Sequence, residues 1–407
     1  MLKQNLKNIS YQSIAQIIPR AMMFIFLFYL AGALGNTEFG KFEFALSLGY
    51  LVGMFFELGG NIILTKHVAR SFYSSIYYAV KIRLVCILIT IALFFTVLFS
   101  FGIYEESRTY IIYASIGLAF SSMMNLYFAF FRGARKMKYE AAVLLTQKAL
   151  FIIIALVLIY SDKSGARVLL AFMMSMIAGF LLIFLIFKRK EQEYLKSDDK
   201  KEIKFKEYFY DVFSLALVEV FSNLYYRLNQ VFIEHFKGFE EVGIYGAAYR
   251  IVEVFINFPS ILLLAIFPAF AKLAVENVKE FRMQFNIILG LLLFFGFLSG
   301  LLCWFFGENI FMLIGSSYAK SYSILQYLTI PLLFLFPNFL VTQGLIALNK
   351  NAVFVWILLI ALILNIIISL LLVPSMGAQG SALSIGICEF FIFITGFYYI
   401  RKFTSVG

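Results

Sequence analysis

Charge is scarce in this chain. Asp, Glu, Lys and Arg make up 14% of its 407 residues, whereas 62% are hydrophobic. A soluble domain carries roughly a quarter charged residues, and none has enough interior to hide this much Leu, Ile and Phe. With a mean hydropathy of +0.90, most of the surface must face lipid. Cysteine is nearly absent: Cys86, Cys303 and Cys388 each lie inside an apolar run with no paired spacing, which leaves disulfides and thiolate metal sites unsupported. The two histidines, His67 and His235, have no ligand partner at metal spacing. No Gly-rich phosphate cradle or nucleophile cluster occurs, so no cofactor or metal is expected.

What the chain has is apolar runs of about twenty residues, the length of a membrane-spanning helix rather than of a barrel strand. They predict an all-α polytopic membrane protein of about twelve spans. Six fall near 13–34, 42–64, 77–101, 109–131, 141–160 and 167–187, and six near 210–236, 242–271, 284–306, 322–348, 352–373 and 379–400. The first run is long and has no small-residue cleavage pattern, so it reads as a retained span. The longest polar stretch, KRKEQEYLKSDDKKEIKFKE, runs from Lys188 to Glu207. It divides the chain into a lobe at 1–188, a charged cytoplasmic linker at 189–207 and a second lobe at 208–407.

The net charge of +11 raises the question of nucleic acid, and its distribution answers it. With the N-terminus in the cytoplasm, 24 of the 34 Lys and Arg residues fall in inside segments and six in outside loops. The inside set includes Lys66, Arg70, Lys81 and Arg83 between the second and third spans. That bias orients the chain with both termini cytoplasmic. The basic residues are scattered over short loops, which excludes a nucleic-acid partner.

An internal repeat appears at an offset of 203. GNTEFGKFEFA from Gly35 falls on GFEEVGIYGAA from Gly238, matching Gly40 with Gly243 and Ala45 with Ala248 at the same topological position. Six spans per half return the chain to its starting side. The halves are therefore expected to be parallel repeats about a pseudo-twofold axis along the membrane normal, with a site where they meet.

Polar residues within spans mark that site, because ionisable groups are costly in hydrocarbon and turn towards a wet interior. The seventh span carries Glu219, Asn223, Arg227, Gln230 and Glu234 as one helical stripe. Gln12, Gln16 and Arg20 line the first span, Glu43, Ser47, Tyr50 and Glu57 the second, and Arg250, Glu253 and Asn257 the eighth. Lys148 stands in the fifth span and Glu389 in the twelfth. Forked guanidinium groups suit a pyrophosphate. Arg227, Arg250, Arg20 and Lys148, with Asn223 and Gln230, are the candidate head-group ligands. Arg250–Glu253 and Arg227–Glu234 also fit plain neutralising pairs, and both readings stand. Glu57, Glu253 and Glu389 are candidates to carry a coupling H⁺ or Na⁺. Glu57 leads because no basic residue shares its helix face, whereas Glu253 sits one turn from Arg250. Tyr225, Tyr226 and Tyr249 lie beside the arginines as candidate sugar-stacking rings. Pro19, Pro259, Pro268, Pro331 and Pro337 fall within spans as candidate bends.

The stretch GNTEFGKFEFALSLGYLVGMFFELGGNIILTKHVAR resembles the opening of the polysaccharide-biosynthesis, or oligosaccharide flippase (Wzx-type), family of the multidrug/oligosaccharidyl-lipid/polysaccharide (MOP) exporter superfamily. NQVFIEHFKGFEEVGIYGAAYRIVEVFINFPSILLLAIFPAFAKL resembles its second-half counterpart, and VPSMGAQGSALS its turn before the last span. The resemblance implies two six-helix lobes of MATE-like architecture around a cation-rich cavity. It implies alternating access that carries an undecaprenyl-pyrophosphate-linked oligosaccharide, an O-antigen or capsular repeat unit, across the bacterial cytoplasmic (inner) membrane. Membrane lipid and glycan polymerase or assembly proteins are the implied partners. Arg250 falls on the arginine of the AAYR motif. Where the family often has Asp this chain has Asn229, which puts any role of that acid in doubt. The alternatives are an H⁺- or Na⁺-coupled multidrug antiporter of the same superfamily, which would favour acids over arginines in its cavity, and a membrane-embedded polymerase or ligase. The short outer loops speak against the enzyme.

Overall fold

The computed structural model describes residues 2–102, 104–195 and 205–405, so the middle of the charged linker, 196–204, lies outside the described residues. Among the described residues twelve α-helices follow one another: α1 Leu2–Glu57, α2 Gly60–Ala69, α3 Ser75–Ser100, α4 Arg108–Gly133, α5 Lys138–Ser161, α6 Gly165–Leu195, α7 Phe205–Lys237, α8 Phe239–Glu276, α9 Val278–Ile314, α10 Ala319–Ala347, α11 Asn351–Met376 and α12 Ala378–Ser405. Among the described residues there is no strand. Lipid offers no partner to a backbone N–H or C=O, so each segment satisfies its own groups as a helix. Nine described segments are long and apolar enough to cross a membrane. Their outward faces are the exposed apolar side chains of α3 (Leu88, Leu93), α9 (Phe294, Phe305) and α11 (Trp356, Leu371). In water such a surface would aggregate; in a bilayer it is the solvent-facing side.

Helix boundaries differ from the apolar runs in two places, both set by glycine. The helix from Leu2 to Glu57 contains the first two expected spans and turns between them at Gly35, which has φ 75° and ψ 171°. Gly238 separates α7 from α8 with φ 81° and ψ −178°. Only glycine occupies that region without strain. These two are the residues matched by the 203-residue offset, so the repeat extends to backbone conformation. The second span, expected to run unbroken over 42–64, is interrupted at Leu58 and Gly59, both in the left-handed region (φ 45° and 76°), and resumes as α2.

By mutual contact the chain forms two units, Met1–Leu34 with Lys41–Asn223 and Gly35–Gly40 with Leu224–Gly407. The division falls inside α7, downstream of the expected start of the second lobe at 208. The first half of α7 packs in the first unit, where the Tyr208 ring lies 5.5 Å from His67 and 6.5 Å from Tyr78. In the first unit α4 is central, packed against α2, α3, α5 and α6, with α5 also on α6. In the second, α10 packs against α8, α9, α11 and α12, with α11 also on α12. The packing order repeats along with the sequence. Buried Leu126, Phe128, Phe130 and Phe131 fill the first core, and Leu325, Leu328, Leu332 and Leu340 the second.

Within the second unit the repeat partners Gly40 and Gly243 meet. A Cβ on Gly40 would overlap the carbonyl of Phe239, and one on Gly243 would overlap the carbonyl of Asn36. Asn36 and Phe239 are themselves offset partners, so the contact is reciprocal. Bare backbone on both segments is what the close approach requires.

Candidate functional site

The first unit holds a buried cationic node at the break between α1 and α2. Arg83, counted above among the cytoplasmic loop residues, is instead two turns inside α3 and only 2% exposed. One nitrogen donates to the Ser122 carbonyl at 3.1 Å and to the Ser122 hydroxyl at 2.6 Å, and the other to Asn61 Oδ1 at 3.0 Å. Glu57 completes it, with Oε1 3.6 Å from the guanidinium. Glu57 also accepts from Asn61 Nδ2 at 2.8 Å and from Asn125 Nδ2 at 3.4 Å. The interruption at Leu58–Gly59 places Glu57 and Asn61 on either side of this node, and Gly60 admits it: a Cβ there would lie 3.2 Å from an Arg83 nitrogen. A small pocket is lined by Glu57, Gly60, Arg83, Leu126 and Tyr208. The expectation that Glu57 lacks a basic neighbour held only along its own helix. The fold supplies one from α3.

Two polar groupings occupy the second unit. Arg250 on α8 donates to Glu253 Oε2 at 2.6 Å, one turn away, and both are partly exposed. Arg227 on α7 is half-buried, and Tyr249 lies within electrostatic range of Arg227, Arg250, Glu253 and Glu389. Tyr249 stacks on Tyr245 at 5.8 Å with 17° between the ring planes.

Deeper in the same unit, Glu389 on α12 is 1% exposed. It accepts from Asn338 Nδ2 at 2.7 Å and from the Tyr225 hydroxyl at 3.0 Å. Among the described residues no Lys, Arg or His forms an ion pair with it. Asn338 Nδ2 also caps the Glu389 backbone carbonyl at 2.8 Å. The Tyr225 carbonyl accepts from Asn229, and Asn229 Oδ1 accepts from Ser369 at 3.2 Å and Ser381 at 3.1 Å. Ser384 bonds to Ser369 at 3.0 Å, and Asn365 to Ser384 at 3.2 Å. All are buried, so α7, α10, α11 and α12 are joined by one neutral hydrogen-bonded chain ending at one carboxyl group.

Of the expected ligands, Arg20 (exposed) and Lys148 (half-buried) belong to the first unit, and Arg227, Arg250 and buried Gln230 to the second. The side chains of Asn223, Glu219, Tyr226 and Asn257 lie outside the described residues. Tyr225 is 1% exposed and has no open face on which a sugar could stack. Arg83, Asn338 and the bonding of Asn229 through Ser369 to Ser384 escaped sequence reading. The only trace of Arg83 was a basic residue just inside an apolar run, which charge-bias logic assigns to a loop.

Two units of apolar helices, each with charged and amide side chains turned inward, define a multi-pass helical membrane fold. Solved structures bear this out. A MATE-family multidrug resistance transporter of the MOP superfamily, described as inward-facing, superposes with a TM-score of 0.75 at 16% identity, covering 98% of each chain. The lipid II flippase MurJ in an inward closed conformation gives 0.71 at 16%, over 98% of this chain and 89% of that one. The polysaccharide biosynthesis protein family profile matches residues 5–274, and the chain belongs to that family. The capsular polysaccharide biosynthesis protein CapF of Staphylococcus aureus is 24% identical over 97% of this chain and 99% of its own length. An uncharacterised membrane protein of Methanocaldococcus jannaschii is equally similar, 24% over 97% and 98%.

Proposed function

We propose that this protein is a flippase for an undecaprenyl-pyrophosphate-linked oligosaccharide in the bacterial cytoplasmic membrane, working by alternating access rather than as an enzyme. Family membership carries the proposal. It is supported by a relative named for capsular polysaccharide biosynthesis and by a fold shared with a protein named as a lipid II flippase. The chemistry agrees: half-buried Arg227 and Arg250 on α7 and α8 offer forked donors to a diphosphate, with Gln230 beside them and Arg20 and Lys148 in the first unit as further cations. Glu253 holds the Arg250 fork in place before a more anionic ligand competes for it.

The test is the sidedness of the lipid-linked glycan pool, read with an impermeant sugar-binding probe in cells with and without the protein. Loss of the protein should strand the glycan on the cytoplasmic side. Wild type should relieve that, and Arg227→Ala or Arg250→Ala at equal protein level should lower export by about tenfold or more, since a charge-assisted hydrogen bond contributes ~1.5–3 kcal/mol. An outer pool that is unchanged without the protein, together with new sensitivity to organic cations, would select the multidrug antiporter reading instead.

A further inference from the structure

Three carboxylates were candidates for coupling transport to an ion, and their surroundings separate them. Glu57 has Arg83 beside it, and Glu253 has Arg250. Each of these two therefore already has a cationic partner and reads as one half of an ion pair. Among the described residues, Glu389 accepts only from neutral donors. An anionic carboxylate in a dry interior without a cation is costly, whereas the neutral acid is not.

The groups around Glu389 allow both states. In the anion, Oε1 accepts from the Tyr225 hydroxyl and Oε2 from Asn338. A proton taken from water onto Oε1 reverses one bond: the acid donates, Tyr225 Oη accepts, and the phenolic hydrogen rotates to another acceptor. The Asn338 bond to Oε2 persists. No backbone need move for the carboxyl group to load. What changes is the polarity of the bond to Tyr225, which sits two residues before Arg227 on α7.

From α7 Tyr225 faces this carboxyl, with Arg227 and Glu234 further along the same helix. From α8 Tyr249 is within electrostatic range of it and also of Arg227, Arg250 and Glu253. On α12 Cys388 is its chain neighbour, and Tyr398, Tyr399, Arg401 and Lys402 stand towards the helix end. Helix α11 contains no ionisable residue at all, and α10 presents Asn338 while its Lys320, Tyr322 and Tyr327 lie in its first turns. On α9, Lys279, Glu280 and Arg282 stand at its start, and Cys303 and Glu308 in its second half.

We propose that Glu389 is a proton-binding site of the second unit, loaded and unloaded during the transport cycle, with Tyr225 as the group that conveys its charge state to the arginine-bearing helix α7. The link to glycan export rests on the flippase reading above; the proton site itself does not.

Infrared difference spectroscopy of the purified full-length protein in lipid, recorded between acid and alkaline pH, reads the carboxyl C=O stretch directly. The expected result is a high-frequency component of the protonated-carboxyl band, as a dry carboxyl group gives, that titrates at higher pH than the exposed acids in wild type, is absent in Glu389→Gln and moves its midpoint in Tyr225→Phe. Glu389→Asp guards against misfolding of the Gln variant, since it keeps an acid and should keep a titrating band. A wild-type spectrum without such a band, or one that survives in Glu389→Gln, overturns the proposal. The second arm is export of the lipid-linked glycan in cells at two external pH values. Loss of the pH dependence in Glu389→Gln supports coupling, and an unchanged dependence overturns it. A titrating Glu389 in a protein that leaves the glycan pool untouched would sink the flippase reading while keeping the proton site.

Discussion

Arg83 shares its guanidinium among two Ser122 oxygens, the Asn61 amide oxygen and the Glu57 carboxylate, and no water is needed to satisfy it. Such a node is worth little as net attraction and much as a liability, because removing one partner strands the others. Arg83→Met should therefore destabilise the protein by about 3 kcal/mol or more, read as a fall in thermal unfolding temperature in detergent. Glu57→Gln in the same chain should recover part of that loss, since the stranded group is then neutral. If the single and double variants unfold together with wild type, the node is not holding the first unit. A residue of this kind is invisible in one dimension: its partners come from α1, α2 and α4, and none lies at helical spacing from it. Arg250 and Glu253 were legible for the opposite reason, being one turn apart on one helix. Glu389 was visible as an intramembrane acid, but the neutrality of its surroundings depended on Asn338 and Tyr225, which are 51 and 164 residues away.

Helices were legible wherever a run of apolar residues matched the thickness of a bilayer, and turns wherever glycine sat between two runs. The Leu58–Gly59 interruption was not, because the apolar pattern continues through FELGGNIIL and only the backbone reveals that α1 ends there. Gly35 and Gly238 give the repeat a sharper test than sequence identity. Both adopt a conformation reserved for glycine, and a Cβ added at either would meet no atom within 4 Å, so substitution strains backbone alone. Gly35→Ala and Gly238→Ala should each lower stability by about 1–3 kcal/mol, by similar amounts, in the same detergent assay. Gly243→Ala should cost more, because its Cβ would overlap the Asn36 carbonyl. Equal tolerance of alanine at all three positions would show that the turns relax, and would remove the conformational case for the repeat.

Orientation in the membrane is a property of the whole chain, set by many loop charges of small individual effect. Arg83 leaves the loop set once its burial is known, and Lys81 stays near the start of α3; the excess of basic residues on one side survives that change. Exposed Lys163, between α5 and α6, is expected on the outer side, and exposed Lys350, between α10 and α11, on the cytoplasmic side. The assignment is checked by single cysteines at these two positions in a background with Cys86, Cys303 and Cys388 replaced. An impermeant thiol reagent applied to intact cells should label Lys163→Cys and leave Lys350→Cys untouched until the membrane is opened. The reverse pattern would invert the chain. Under the proposed flippase function, a lipid-linked substrate made in the cytoplasm would then meet the opposite ends of α7 and α8, and the arginines proposed as its entry site would have to be reconsidered as an exit site. Labelling of both positions in intact cells would place the two loops on one side. That requires an even number of crossings between them, so one of the five helices α6 to α10 would have to enter and leave the bilayer on the same face.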